Sequence, residues 1–141
     1  MRNRMRIATA VAGAGVAVLA LAGCMTTYPT ESFRGDPEEP LQSVGGEGEG
    51  VMISWLHQGG QIALTTWGSS SCPVVGSDIS VVSPAGEGNT VAITTENPAA
   101  DQICTMDYVP HTSVFWTPQE VITGEPLTVQ VLGEEFVLPI K

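Results

Sequence analysis

Apolar and polar positions divide this chain into three stretches of different periodicity. From Ile7 to Ala22 there is no charge and no alternation, only Ala, Val, Leu, Ile and Gly with Thr9, behind Arg2, Arg4 and Arg6. This run of roughly 16 residues falls short of the roughly 20 that carry a helix across a bilayer. From Met25 to Gly50 apolar residues are sparse and show no period. Pro29, Pro37 and Pro40 interrupt the segment, and Gly45-Gly46-Glu47-Gly48-Glu49-Gly50 closes it. Such a stretch predicts a disordered, acidic linker, spanning on the order of 25–30 Å as a flexible coil.

At Val51 the period becomes two. Val51, Ile53 and Trp55 alternate with Met52, Ser54 and Leu56, and past His57-Gln58-Gly59-Gly60 so do Ile62, Leu64 and Thr66 with Ala63, Thr65 and Trp67. That pattern predicts a hairpin. A second hairpin is expected from Ile79–Val82 and Thr90–Thr95, with a longer loop around Pro84 and Gly86. Further strands are expected at Ile103–Val109 (ended by Pro110), Ser113–Trp116, Leu127–Val131 and, after Gly133-Glu134, Phe136–Leu138. No segment beyond the N-terminal run shows sustained helical spacing. Seven or eight short strands predict an all-β fold, a small antiparallel sandwich of the immunoglobulin-like kind over residues 51–141.

The N-terminal run has the layout of a secretory signal peptide: a basic head, an apolar middle and small residues at its end. Leu21-Ala22-Gly23-Cys24 resembles the lipobox of bacterial lipoproteins. The resemblance implies cleavage before Cys24, a diacylglycerol on its thiol, and anchoring on the extracytoplasmic face of the cell membrane by two or three acyl chains. The expected organisation is a leader over 1–23, a lipidated N-terminus and flexible linker over 24–50, and the sandwich over 51–141. Cleavage removes three of the five basic residues and none of the 15 acidic ones. With only Arg34 and Lys141 positive, the mature surface repels phosphate backbones, which argues against nucleic-acid binding. It leaves room for cations or a basic partner without demanding either.

Cys24 being taken by lipid, Cys72 and Cys104 remain as an even pair in an exported domain. A disulfide is the expectation, with a metal-ligand pair or two free thiols as the alternatives. A bridge over this separation adds about 3–4 kcal/mol by the chain-entropy estimate. Trp67-Gly68-Ser69-Ser70-Ser71-Cys72-Pro73, Cys104 to Thr112 and Glu125-Pro126-Leu127-Thr128-Val129 resemble segments of a loose group of lipoproteins from high-GC Gram-positive bacteria. That resemblance also implies pairing of Cys72 with Cys104, and it implies no established activity.

Three constellations could carry chemistry. Ser69, Ser70 and Ser71 beside Gly68 invite a nucleophile reading, yet the Gly-x-Ser-x-Gly turn is missing and only His57 or His111 could serve as base. His57 and His111, with Met52 and Met106, are candidate metal ligands. A blue-copper set would consume Cys104 and place Met106 too close behind it. Trp55, Trp67 and Trp116 are either core residues, one of them packed on the disulfide, or a binding face for carbohydrate or protein. The expected function is therefore non-enzymatic and needs no cofactor: a binding or accessory module of the cell envelope, with an envelope protein or carbohydrate as partner. A metal-binding lipoprotein using His57 and His111 is the first alternative, and a hydrolase centred on the serine turn the second.

Overall fold

The computed structural model describes residues 26–141, so Cys24 and the 1–23 leader lie outside the described residues. Among the described residues nine strands form two sheets: β1 (Glu31–Arg34), β2 (Gln42–Gly46), β3 (Val51–Leu56), β4 (Gln61–Gly68), β5 (Val75–Ser83), β6 (Thr90–Glu96), β7 (Val109–Trp116), β8 (Leu127–Val131) and β9 (Glu134–Leu138). The first sheet has the order β1-β7-β4-β3-β2 and the second β5-β6-β8-β9. They stack as an all-β sandwich. Every pairing is antiparallel except β6 with β8, which run parallel with Val91 opposite Val129.

The alternation that marked the hairpins also fills the core. Val51, Ile53 and Trp55 of β3, Ile62 and Leu64 of β4 and Phe115 of β7 face Ile79, Val91, Ile93, Leu127, Val129 and Leu138 of the other sheet in one cluster. Trp55 is fully buried, and its indole N–H donates to the Pro139 carbonyl at 3.0 Å, so the polar edge of the ring is not stranded. Between β8 and β9, Leu132 and Gly133 both have positive φ (53° and 79°), the backbone of a two-residue hairpin turn.

The segment expected to be a flexible linker carries β1 and β2. Their side chains give little signal, because each strand has a single large apolar residue, Phe33 and Val44. Both are edge strands, added to the sheet by main-chain hydrogen bonds to β7 and β3, with Val44 packed against the core cluster and Phe33 against Leu56, Ala63 and Val114. Of the glycine run only Gly45 and Gly46 lie in β2, and Glu47–Glu49 form a 3-10 turn. Gly45 has a steric reason to be glycine, with φ +79° and a Cβ that would stand 2.2 Å from the Val51 carbonyl oxygen.

The strand expected over Ile103–Val109 does not form there. Residues 102–108 form an irregular exposed loop, and β7 begins at Val109 and runs through Pro110. Alternation marks a strand only where one of its faces is buried, and here neither is. Pro110 is tolerated because it lies near the start of β7, before the ladder to β1 begins at His111.

β1 and β2 occupy opposite edges of one sheet, so residues 35–41 must cross three strands to join them. They do so as a strap over the outer face. The Thr112 hydroxyl donates to the Gly35 carbonyl at 2.7 Å, Pro37 is buried, and the Leu41 amide donates to the Trp55 carbonyl at 2.9 Å. Beneath the strap lie the outward-facing Leu56, Ala63, Thr65, Thr112 and Val114, all buried.

Asn89 closes the opposite side of the molecule. It is buried with φ 43°, a conformation asparagine tolerates better than most residues. Its amide nitrogen donates to the carbonyls of Ile122 (2.9 Å) and Pro126 (3.1 Å), and its oxygen accepts the Ile122 N–H at 3.0 Å. One side chain thus fixes the β5–β6 loop to the connection before β8. Asn89→Ala should cost roughly 1–3 kcal/mol, because it removes three hydrogen bonds to part-buried backbone groups. Urea unfolding of the two proteins checks this, and a loss below about 0.5 kcal/mol would contradict the assignment.

Candidate functional site

Two connections pass between the sheets at one end of the sandwich, residues 69–74 and residues 97–108. The disulfide Cys72–Cys104, with Cα atoms 5.5 Å apart, ties them together. Cys72 is buried and Cys104 exposed, and neither belongs to the core cluster around Trp55. The bridge therefore staples two loops, whereas an immunoglobulin-type disulfide spans the two sheets through the core.

The serine turn packs on the same junction. Ser69, Ser70 and Ser71 place their hydroxyls 2.8, 3.2 and 3.2 Å from that of Thr105. The Thr105 amide donates to Ser71 Oγ at 2.9 Å, and the Thr105 hydroxyl donates to the Asp107 carboxylate. Asp107 also accepts the Ser70 amide at 3.0 Å. Hydrogen bonding from Ser70, and then from Thr105, holds the Asp107 carboxyl far below the ordinary carboxylate range. On the other side, Arg34 donates to the Ser70 carbonyl at 3.1 Å. The hydroxyls that suggested a nucleophile are spent on bracing one loop against another.

A serine and a histidine do meet elsewhere: Ser32 Oγ lies 2.9 Å from His111 Nε2 across the β1–β7 pair. Partial burial, followed by the positive charge of Arg34, lowers the His111 pKa. A base that must become imidazolium is poorly placed beside a guanidinium, whereas a serine triad sets a carboxylate there. His111 sits opposite Thr66, and His57 lies in the turn before Gln61, at the other end of β4. Five residues of strand, roughly 16 Å, separate the two positions, so one metal ion cannot take both. Among the described residues, no three His, Cys, Asp or Glu side chains gather as a metal-binding group.

The tryptophans divide three ways. Trp55 is core, Trp67 is half-buried and Trp116 is 44 % exposed. Trp67 lies opposite Pro110, and Trp116 opposite Gln61, at the two ends of the β4–β7 pair, so they do not form one binding face. Two other surfaces stand out.

The first is the stapled loop itself. Ile103 is 96 % exposed and Met106 entirely so, although the backbone between them is held by the disulfide, Thr105 and Asp107. Just beyond, the Tyr108 hydroxyl donates to the Glu47 carbonyl at 3.0 Å and fixes the base of the loop. The second is a hollow of about 430 Å³ under the strap, lined by Phe33, Pro37, Leu56, Val114, Glu31 and Glu38, with His57 and Gln61 at one end. Sequence reading missed this hollow because half of its wall comes from the supposed linker. The one signal was the Glu31/Phe33 alternation with Ser32/Arg34, too short to distinguish from chance. A search with protein-family models, curated proteins and solved structures found nothing that matches this chain.

Two outcomes follow from the brace. Reduction of Cys72–Cys104, or the double change Cys72→Ala and Cys104→Ala, should lower unfolding free energy by about 3 kcal/mol, read from denaturant melts. Asp107 has a folded pKa below its unfolded value, so its stabilisation is complete above the unfolded value and is lost as pH falls through the folded one. The gap in denaturation midpoint between wild type and Asp107→Asn should thus be widest near neutrality and shrink below about pH 4. A gap that stays constant across that range would exclude the carboxylate as the brace.

Proposed function

We propose that this chain is a lipid-anchored module on the extracytoplasmic face of a bacterial membrane, which catalyses no reaction and docks an envelope protein through the loop at residues 97–108. The lipobox-like Leu21-Ala22-Gly23-Cys24 behind its basic and apolar leader supports the anchor. The disulfide supports export, since such bonds persist in oxidising compartments.

The observation that carries the docking role is the full exposure of Ile103 and Met106 on a braced backbone. Isolated apolar side chains on a surface are ordinary, but these two project from a loop already held by a covalent bond and a buttress of hydroxyls. Ordering such a loop on binding costs little, because the fold has ordered it beforehand. Aliphatic and thioether side chains suit an apolar socket on a protein. Sugars stack on aromatic faces, and no pair of exposed tryptophans is assembled here. The surrounding acidity, Asp101 included, fits a socket with a basic rim.

A photoreactive amino acid placed at position 103, 106 or, as control, 137 on β9 tests this in producing cells. The expected result is one partner captured from 103 and 106, not from 137, and lost when Asp101→Lys reverses the local charge. Equal capture from all three positions, or none at normal expression, would refute the docking role. The anchor is judged in the same cells by metabolic labelling with palmitate. Wild type should be labelled and Cys24→Ala unlabelled, and an unlabelled wild type removes the anchor while leaving the docking result to stand alone.

A further inference from the structure

We propose that the hollow under the strap is a binding site for a small organic cation, an ammonium group carried on an apolar body. The site lies at the His57 and Gln61 end of β4, away from the stapled loop at the Gly68 end, so it stands apart from the docking role. Its volume of about 430 Å³ falls within the range of small-molecule sites. The floor is carbon: Leu56 and Val114 are buried beneath it, Phe33 forms one wall, and the buried ring of Pro37 hangs from the strap above.

Charge selects the ligand. Glu31 and Glu38 stand at the rim, and neither basic side chain of the described residues answers them. Arg34 donates to Ser70, and the Lys141 ammonium donates to the Gln58 carbonyl at 2.7 Å. Two uncompensated carboxylates over an apolar floor disfavour an anion and favour a cation with an apolar body. Gln61 supplies the second polar element. It is only 6 % exposed, and its sole side-chain hydrogen bond among the described residues is a long one, Nε2 to Thr30 Oγ1 at 3.4 Å. Its amide oxygen makes no hydrogen bond among the described residues and, on a side chain that lines the hollow, can accept from an N–H group brought there. A bare metal ion fits less well, since calcium requires six or more oxygen ligands and this floor offers carbon.

The test uses the full chain in detergent, titrated with 4-phenylbutylammonium, 4-phenylbutanol and 4-phenylbutanoate, which share a body and differ in charge. The cation should saturate one site with a Kd of about 0.1–1 mM, as expected for a ligand of this size. Amide chemical-shift changes should centre on Glu31–Glu38, Leu56–Gln61 and Val114. The alcohol should bind at least about tenfold more weakly, and the carboxylate more weakly still. Changing Glu31→Gln and Glu38→Gln together should erase the preference for the cation while leaving the melting temperature nearly unchanged, because both side chains are exposed. Equal binding of the three probes, shifts outside the hollow, an unchanged preference in the double variant, or no saturation by the cation would each overturn the proposal. None of these results touches the crosslinks from positions 103 and 106.

Discussion

Both faces of β4 are buried, and most of the architecture follows from that. Gln61 to Thr66 are all shielded from solvent, although only Ile62, Leu64 and Thr66 face the second sheet. A sandwich strand ordinarily turns one face to water. Here the outer positions carry Ala63 and Thr65, small enough to lie under a strap, and the Thr65 hydroxyl donates at 2.9 Å to that of Thr112, which itself donates to Gly35, in the space that water would occupy. The strap crosses this face because its flanking strands sit at opposite edges of the sheet. Moving β1 or β2 to another position would uncover the face, and Ala63 and Val114 would then add exposed apolar surface to the molecule.

The two ends of the sandwich are secured in different ways. At the β5–β6 loop a single uncharged and buried side chain, Asn89, satisfies part-buried backbone groups of Ile122 and Pro126 and uses up its own amide in doing so. At the other end the loops are too exposed for burial to hold them. A disulfide and a cluster of hydroxyls around Thr105 and Asp107 do so, and these work in contact with water. Gly76 marks a close approach of the two sheets: a Cβ there would meet the Phe115 ring at 2.7 Å, and its N–H donates to Ser113 Oγ. The sandwich is therefore tight along β5 and β7 and loosely filled beneath the strap.

Sequence pattern disclosed the strands with one buried and one polar face, and β3 and β8 begin and end where alternation places them. It failed where burial and alternation part company. β1 and β2 are held by backbone pairing, which leaves no mark on residue type, so their glycines and glutamates resembled a linker. Cys104, Met106 and Tyr108 alternate without a covered face, and the strand expected there is a loop. The pairing of Cys72 with Cys104 could be read from the even count of cysteines left after Cys24, but its position in the fold could not. Trp55 alone of the tryptophans sits in the core, some way from the bridge. The hollow under the strap was invisible, since its walls come from segments that only the sheet order brings together.

The strap is attached mainly at its ends. Gly35 donates to Pro110 and accepts from Thr112, Leu41 donates to Trp55, and between them Pro37 has no N–H to give. A segment with so few hydrogen bonds, lying over a partly empty hollow, belongs to the less stable part of a fold whose core is closely packed. Anything that filled the space under Pro37 would add contacts to the strap and to the outer face of β4 together. Occupancy of the hollow and order of the strap are thus coupled, and a ligand there stabilises the sheet by mass action. The strap begins at the end of β1, the first strand after the residues that lead back towards Cys24. The chain entering β1 is held to both sheets, since the Ile79 amide donates to the Thr27 carbonyl at 2.9 Å and the Thr30 amide to the Val114 carbonyl at 2.7 Å, so the middle of the strap is the part that filling the hollow would order.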